Sequence, residues 1–447
     1  MNDSGPKRQL GWIHGTGLVV GAIIGVGIFI TPSSVAAIAG SAGSSLALWA
    51  LGGFIAICGA LSLAEVGARF PHSGGQIMAL KTMLGPMPSF LYGWSLLWAI
   101  QTGVLVIIAF FAADNLAVAL LGSPWANSTL SKSVASLLIL SLAMANLRGA
   151  LHGAWIQSLT SAAKLIILAG LVLMGLYAFG FETETLTAPR IQETGTQAPW
   201  MAGLAAVLFS YGGFHQITWV AGEMKQPQKT VPRSILFGIA IVLIAYLSSN
   251  LAYFALLPFD HVVQSQTLAA DATATLFPDW AGRATAAALC VSAYGIANAS
   301  LFTTPRVYYA LARQKLFFGT FARLHGPTGV PRPAILLQTA LALALLWLAG
   351  PDRMDQLVNG VVFVDWTFHI LTCAGLLYWR SRHQEIDAGY RAPWMPLPPL
   401  LFILGSGLAL GATFWNPAVR QSSLLGLGIL LSGVLFYGLF FRRRASA

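Results

Sequence analysis

Charge is what this chain has least of. Only 9% of its 447 residues are Asp, Glu, Lys or Arg, against about a quarter in an ordinary soluble domain. That shortage excludes a soluble globular protein, which could not keep such a surface in water. Cysteine is scarce as well. Cys58, Cys290 and Cys373 fall in three different apolar runs, with no spacing suited to a disulfide framework or a metal site. Strict alternation of polar and apolar residues, the mark of membrane barrel strands, is missing. The apolar runs hold no His, Asp or Cys cluster at ligand spacing, which argues against a membrane-embedded enzyme. They also hold too few polar residues to line a continuous channel. No metal and no cofactor are expected.

Apolar length is abundant instead. The chain is 56% hydrophobic and tiles into twelve runs: 12–38, 44–68, 87–120, 132–147, 155–180, 199–222, 234–258, 284–312, 334–349, 356–379, 396–415 and 422–441. Runs of this kind cross a bilayer as helices. We therefore expect an all-α membrane protein of about twelve transmembrane helices. The net charge of +10 is placed for a membrane and not for nucleic acid. If the N-terminus lies inside, only Lys132, Arg190, Arg283, Arg353 and Arg420 fall outside. Every other Lys and Arg except Lys164 falls inside. That asymmetry predicts cytoplasmic termini, with the basic excess facing anionic lipid. Lys7 and Arg8 precede an apolar run, but its three glycines make a poor signal peptide, and no cleavage is expected. The longest outside loops are 181–198 and 259–282.

Two of the runs are poor helices. GAIIGVGIFITP, Gly21–Pro32, carries three glycines and a proline, so a continuous helix there is costly. LFSYGGFHQITWVAGEM, Leu208–Met224, is interrupted at Gly212-Gly213 and followed by polar His215 and Gln216. In hydrocarbon a break exposes backbone N–H and C=O groups that lipid cannot satisfy, so it is tolerated only where it packs closely or lines a cavity. Glycine-broken runs in first and sixth place point to a transporter of inverted repeats. The expected organisation is a tail 1–11, a first five-helix repeat 12–180, a second 199–379, two added helices 396–441 and a basic tail 442–447.

Ionisable residues inside the runs narrow the search. Lys164, within SLTSAAKLIIL, either snorkels past Trp155 or has a role at depth; the second is expected. Asp365 is either a proton group or an acid tied to a neighbouring helix, with Trp366 beside it. His369, one turn on, reads as a packing residue. Glu65 is expected to pair with a nearby base, and Asp114 to snorkel outward. The loop FPHSGGQIMALKTMLG, Phe70–Gly85, reads as a tight, re-entrant turn.

Together these segments resemble the amino acid–polyamine–organocation superfamily of transporters, and most closely its L-type amino acid transporter branch. The likeness rests on Gly21–Phe29, the Phe70–Gly85 loop with Gly93-Trp94, the ordered set Asn146, Gln157, Thr160 and Lys164, the stretch Phe209–Phe214 with Glu223–Pro227 and Val231–Arg233, and Gly295–Arg306. It covers roughly the first ten runs and implies a leucine-transporter-type 5+5 inverted repeat plus two C-terminal helices. It also implies an amino acid head group bound at the two breaks, by Ile23, Gly25, Val26, Gly27, Phe209, Gly212, Phe214 and His215. N–H groups freed at Val26 and Gly27 suit a carboxylate. Carbonyls freed at Ile23, Phe209 and Gly212 suit an ammonium. Phe209 corresponds to the family's aromatic gate. Lys164, with a hydroxyl such as Ser292, corresponds to a tethered substitute for a sodium ion. The family's Trp and small polar residue are replaced by Phe214 and His215. His215 is left to bind a carboxylate or hydroxyl, to sense pH, or to pack against aromatics. The resulting expectation is a sodium-independent amino acid transporter of the cytoplasmic (inner) membrane, an exchanger of neutral L-amino acids working by alternating access without an obligatory protein partner. The alternative is a proton-coupled amino acid or amine/polyamine permease.

Overall fold

The computed structural model describes residues 6–125, 128–179, 199–278, 280–348, 354–383, 389–415 and 417–441. The 181–198 loop with Arg190, Arg353, and the 442–447 tail lie outside the described residues. Helix after helix follows because a chain in lipid must satisfy each backbone N–H and C=O within its own segment. Along the chain these are α1 Trp12–Ile23, α2 Gly27–Ala39, α3 Ala42–Arg69, α4 Gly75–Leu84, α5 Pro86–Ser95, a π-turn Leu96–Ile100, α6 Gln101–Leu121, α7 Ser128–Arg148, α8 Ala150–Phe179 and α9 Pro199–Tyr211. Then come α10 Gln216–Trp219, α11 Pro227–Leu256, α12 Phe259–Gln264, α13 Leu268–Ala274, α14 Ala281–Arg313, α15 Arg332–Leu348, α16 Met354–Arg382, α17 Leu397–Trp415 and α18 Pro417–Phe440. Among the described residues there is no strand, only an isolated bridge between Leu10 and Met224.

Local chemistry sets the ends. Ser41 caps α3 by accepting from the Ser44 N–H at 3.1 Å. Gly122 closes α6 in the left-handed region, with φ 79°. Among the described residues six segments are long and apolar enough to cross a membrane, and α1 with α2 makes a seventh, bent by 44° at its break. The other five predicted runs coincide with α9–α10 and α15–α18. The 259–282 loop carries the short helices α12 and α13.

The Phe70–Gly85 loop is more than a turn. Its second half is α4, buried along most of its length. Gly74 N–H donates to Trp219 O at 2.9 Å, and Gln76 N–H to Thr218 Oγ1 at 3.2 Å. The loop is thus fastened to the segment that follows the second break. Glu65 pairs as expected, with Arg69 and with Arg380, each at 2.7 Å. Asp114 is reached by the Ser131 hydroxyl. The core is formed where α1, α3, α8, α9, α11 and α14 pack together.

Candidate functional site

The two broken segments meet. Helix α1 stops at Ile23, Ile24 is extended (φ −67°, ψ 99°), and α2 restarts at Gly27. No side chain caps the start of α2, so its first N–H groups point outward with the positive end of the helix dipole. On the other segment α9 stops at Tyr211 and Gly213 takes φ 113°. A Cβ on Gly213 would lie 2.7 Å from Ala22 O. Only glycine allows this approach, since it tolerates positive φ and adds no side chain.

Tyr246 of α11 joins the breaks from behind. Its buried hydroxyl lies 2.9 Å from Ile23 O and 3.0 Å from Ser210 O. Ile23 O is therefore not free, and Phe209 O also has a donor, the Gly212 N–H at 3.0 Å. The expected cradle of open carbonyls at Ile23 and Phe209 is largely used up in holding the breaks together. The sequence reading missed Tyr246, because a tyrosine in an apolar run carries no signal of its own.

Lys164 of α8 is fully buried and does not snorkel. Its Nζ donates to Gly21 O at 2.9 Å and Ile24 O at 2.7 Å. These carbonyls lost their own helical partners at the break, and the lysine amine takes over as their donor. The Ser292 hydroxyl is not a ligand, having no hydrogen-bond partner. What α14 presents to the lysine is instead Gly295, where a Cβ would come within 3.2 Å of Lys164 Cε. The rest of the ordered set supports this seam. Asn298 of α14 donates to Gln157 Oε1 at 2.9 Å and accepts from Asn146 Nδ2 at 3.1 Å.

A cavity of about 470 Å³ opens beside the breaks. Ile23, Gly25, Val26, Gly27, Phe209, Gly212, His215, Asp365 and Trp366 all line it. Phe209 stays 43% exposed and Ile30 48%, so the cavity opens on the α2 side of the break, away from the N-terminal segment. Phe214 does not line it. The turn at Gly213 directs that ring into the core, where a Cβ on Gly59 would meet it at 3.2 Å. Gln101, which follows the π-turn, was not foreseen; it faces the cavity and accepts from the Ser300 hydroxyl at 2.7 Å.

The N-terminal face is shut. Arg306 of α14 and Glu223 form a buried two-point pair at 2.8 and 3.2 Å. Gln9 and Leu10 N–H groups donate to Glu223 O, and Lys225 N–H to Leu10 O. A second cavity there, about 700 Å³, is lined by Arg8, His72, Lys81 and Arg313 but touches neither break.

One grouping was invisible in the sequence. His215, Asp365 and His369 come together, their donor atoms all within 4.8 Å of one another. His369 is buried, with its Nδ1 3.0 Å from Gln76 Nε2 and its Nε2 3.5 Å from Asp365 Oδ2. The ring of His215 lies 4.1 Å from that of His369, centroid to centroid.

Two helices broken against each other, a cavity at the breaks, and a lysine holding one of them make a candidate small-molecule site. A comparison with protein families agrees: the amino acid permease family matches residues 10–438. The chain belongs to the amino acid permease family. This places it in the amino acid–polyamine–organocation superfamily, whose members are membrane transporters and not enzymes. Its relatives include the serine/threonine exchanger SteT of Bacillus subtilis, 30% identical over 99% of both chains. The human b(0,+)-type amino acid transporter 1 is 28% identical over 97% of this chain and 88% of its own. The human large neutral amino acids transporter small subunit 2 is 29% identical over 96% and 80%. This permease is accordingly a multi-pass membrane protein that transports amino acids.

Proposed function

We propose that this permease is a sodium-independent exchanger of neutral L-amino acids, built as a 5+5 inverted repeat with twelve crossings and cytoplasmic termini in the inner membrane. The observation that carries the reading is Lys164. Backbone carbonyls at an unwound helix are where transporters of this architecture hold a coupling cation. Here the Gly21 and Ile24 carbonyls are already held by a covalently attached ammonium, which leaves a mobile sodium ion no role. The exchanger named among the relatives supports exchange. The substrate carboxylate is assigned to the start of α2 at Val26 and Gly27, the ammonium to the Gly212 carbonyl, and Phe209 to the lid. The closed face at Glu223 and Arg306 and the open cavity opposite fit one end state of alternating access. No protein partner is required in this scheme.

One observation favours a second reading, a proton-coupled amino acid or amine/polyamine permease. Asp365, His215 and His369 are titratable and two of them border the cavity. Competition distinguishes substrate classes. A neutral amino acid should compete for uptake, while its decarboxylated amine should be about 100-fold weaker, as losing two charge-assisted hydrogen bonds implies. An amine that competes as well as its parent overturns the carboxylate site at α2.

A further inference from the structure

We infer that His215, His369 and Asp365 form a binding site for one divalent transition-metal ion of the zinc class, open toward the substrate cavity. His215 is 1% exposed, yet neither ring nitrogen has a hydrogen-bond partner. A buried polar atom left without a partner is costly, so this ring is arranged for something that binds it. In its neighbour His369, Nε2 makes no hydrogen bond and stands in ion-pair range of Asp365 Oδ2, at 3.5 Å. Ligand atoms around tetrahedral zinc stand about 3.4 Å apart, as bonds of roughly 2.1 Å require. One pair is already at that spacing, and all three donors lie within 4.8 Å.

The surrounding groups suit the ligands. Tyr92 donates to Asp365 Oδ1 at 2.8 Å, leaving Oδ2 for the metal. Gln76 Nε2 lies 3.0 Å from His369 Nδ1 and 2.9 Å from Thr372 Oγ1, while its Oε1 has no partner. Turning that amide over lets Oε1 accept from Nδ1–H, which fixes the tautomer with a lone pair on Nε2. Two neutral imidazoles and one carboxylate offset half of the metal's charge. The fourth position faces the cavity, where water or a substrate carboxylate completes it. Bound metal would tie the segment after the second break to α16 and arrest transport.

Cobalt(II) is the probe, because four-coordinate sites give strong visible absorption that zinc(II) does not. The full-length protein in detergent, freed of metal with chelator, is titrated with Co(II). One equivalent should bind with an intense visible band, and equimolar Zn(II) should abolish it. The band should vanish in His369→Gln and His215→Ala. Tyr92→Phe keeps every ligand and should weaken binding about 10–100-fold, so the inference stays testable if a histidine variant does not fold. In vesicles, Zn(II) should slow amino acid exchange by the wild type, with recovery on chelation. Absence of a strong band in the wild type, or a band undiminished in folded histidine variants, overturns the site.

Discussion

Lys164 shows how much one residue carries here. Its ammonium supplies the partners that Gly21 O and Ile24 O lose where α1 ends. Lys164→Ala leaves both acceptors buried and unpaired, at about 1–3 kcal/mol each. Exchange should fall to near background and the unfolding temperature should drop, which a thermal melt of the purified variant measures. Tyr246 acts from the other side on Ile23 O and Ser210 O. Tyr246→Phe removes one hydroxyl proton shared by two carbonyls, so the cost should be smaller in total, about 1–3 kcal/mol. We expect slower exchange from a folded protein. A variant indistinguishable from wild type in both stability and rate would show that the hydroxyl bridge is idle.

Among the elements, the two breaks matter most, and Gly213 is where they touch. Gly213→Ala places a Cβ 2.7 Å from Ala22 O at φ 113°, so strain of about 1–3 kcal/mol and loss of transport are expected. Gly170, in the middle of α8, has nothing within 4 Å of its Cβ; alanine there should be neutral or stabilising by up to ~1 kcal/mol. Parallel uptake assays on the two variants check the contrast. The breaks could be read from sequence because glycine and proline inside an apolar run have one physical meaning in lipid. Lys164 was legible for the same reason, as a charge where charge is costly. Direction was not. Phe214 follows Gly213 in the chain, but its ring turns to the core because the backbone turns at a left-handed glycine. Ser292 precedes Gly295 on α14 and makes no hydrogen bond to the lysine. The meeting of His215 with His369 and Asp365 depends on where the second break sets His215 relative to α16, which no local spacing encodes.

At the scale of the molecule, closure of one face and opening of the other are a single fact. The Arg306–Glu223 pair and the Leu10–Lys225 backbone bond lock the N-terminal side, while the cavity beside Phe209 lies open. The proposed alternating access requires these to interchange, and with no gradient of its own to spend the proposed exchanger should make the return step only when loaded. Labelled amino acid uptake into sodium-free vesicles tests this most directly, with and without unlabelled amino acid inside, at equal pH and then with an imposed pH gradient. We predict fast uptake only into preloaded vesicles, unchanged by sodium or by the pH gradient. Uptake into empty vesicles driven by the pH gradient, or strict dependence on sodium, would contradict the role given to Lys164 and the exchange mechanism built on it.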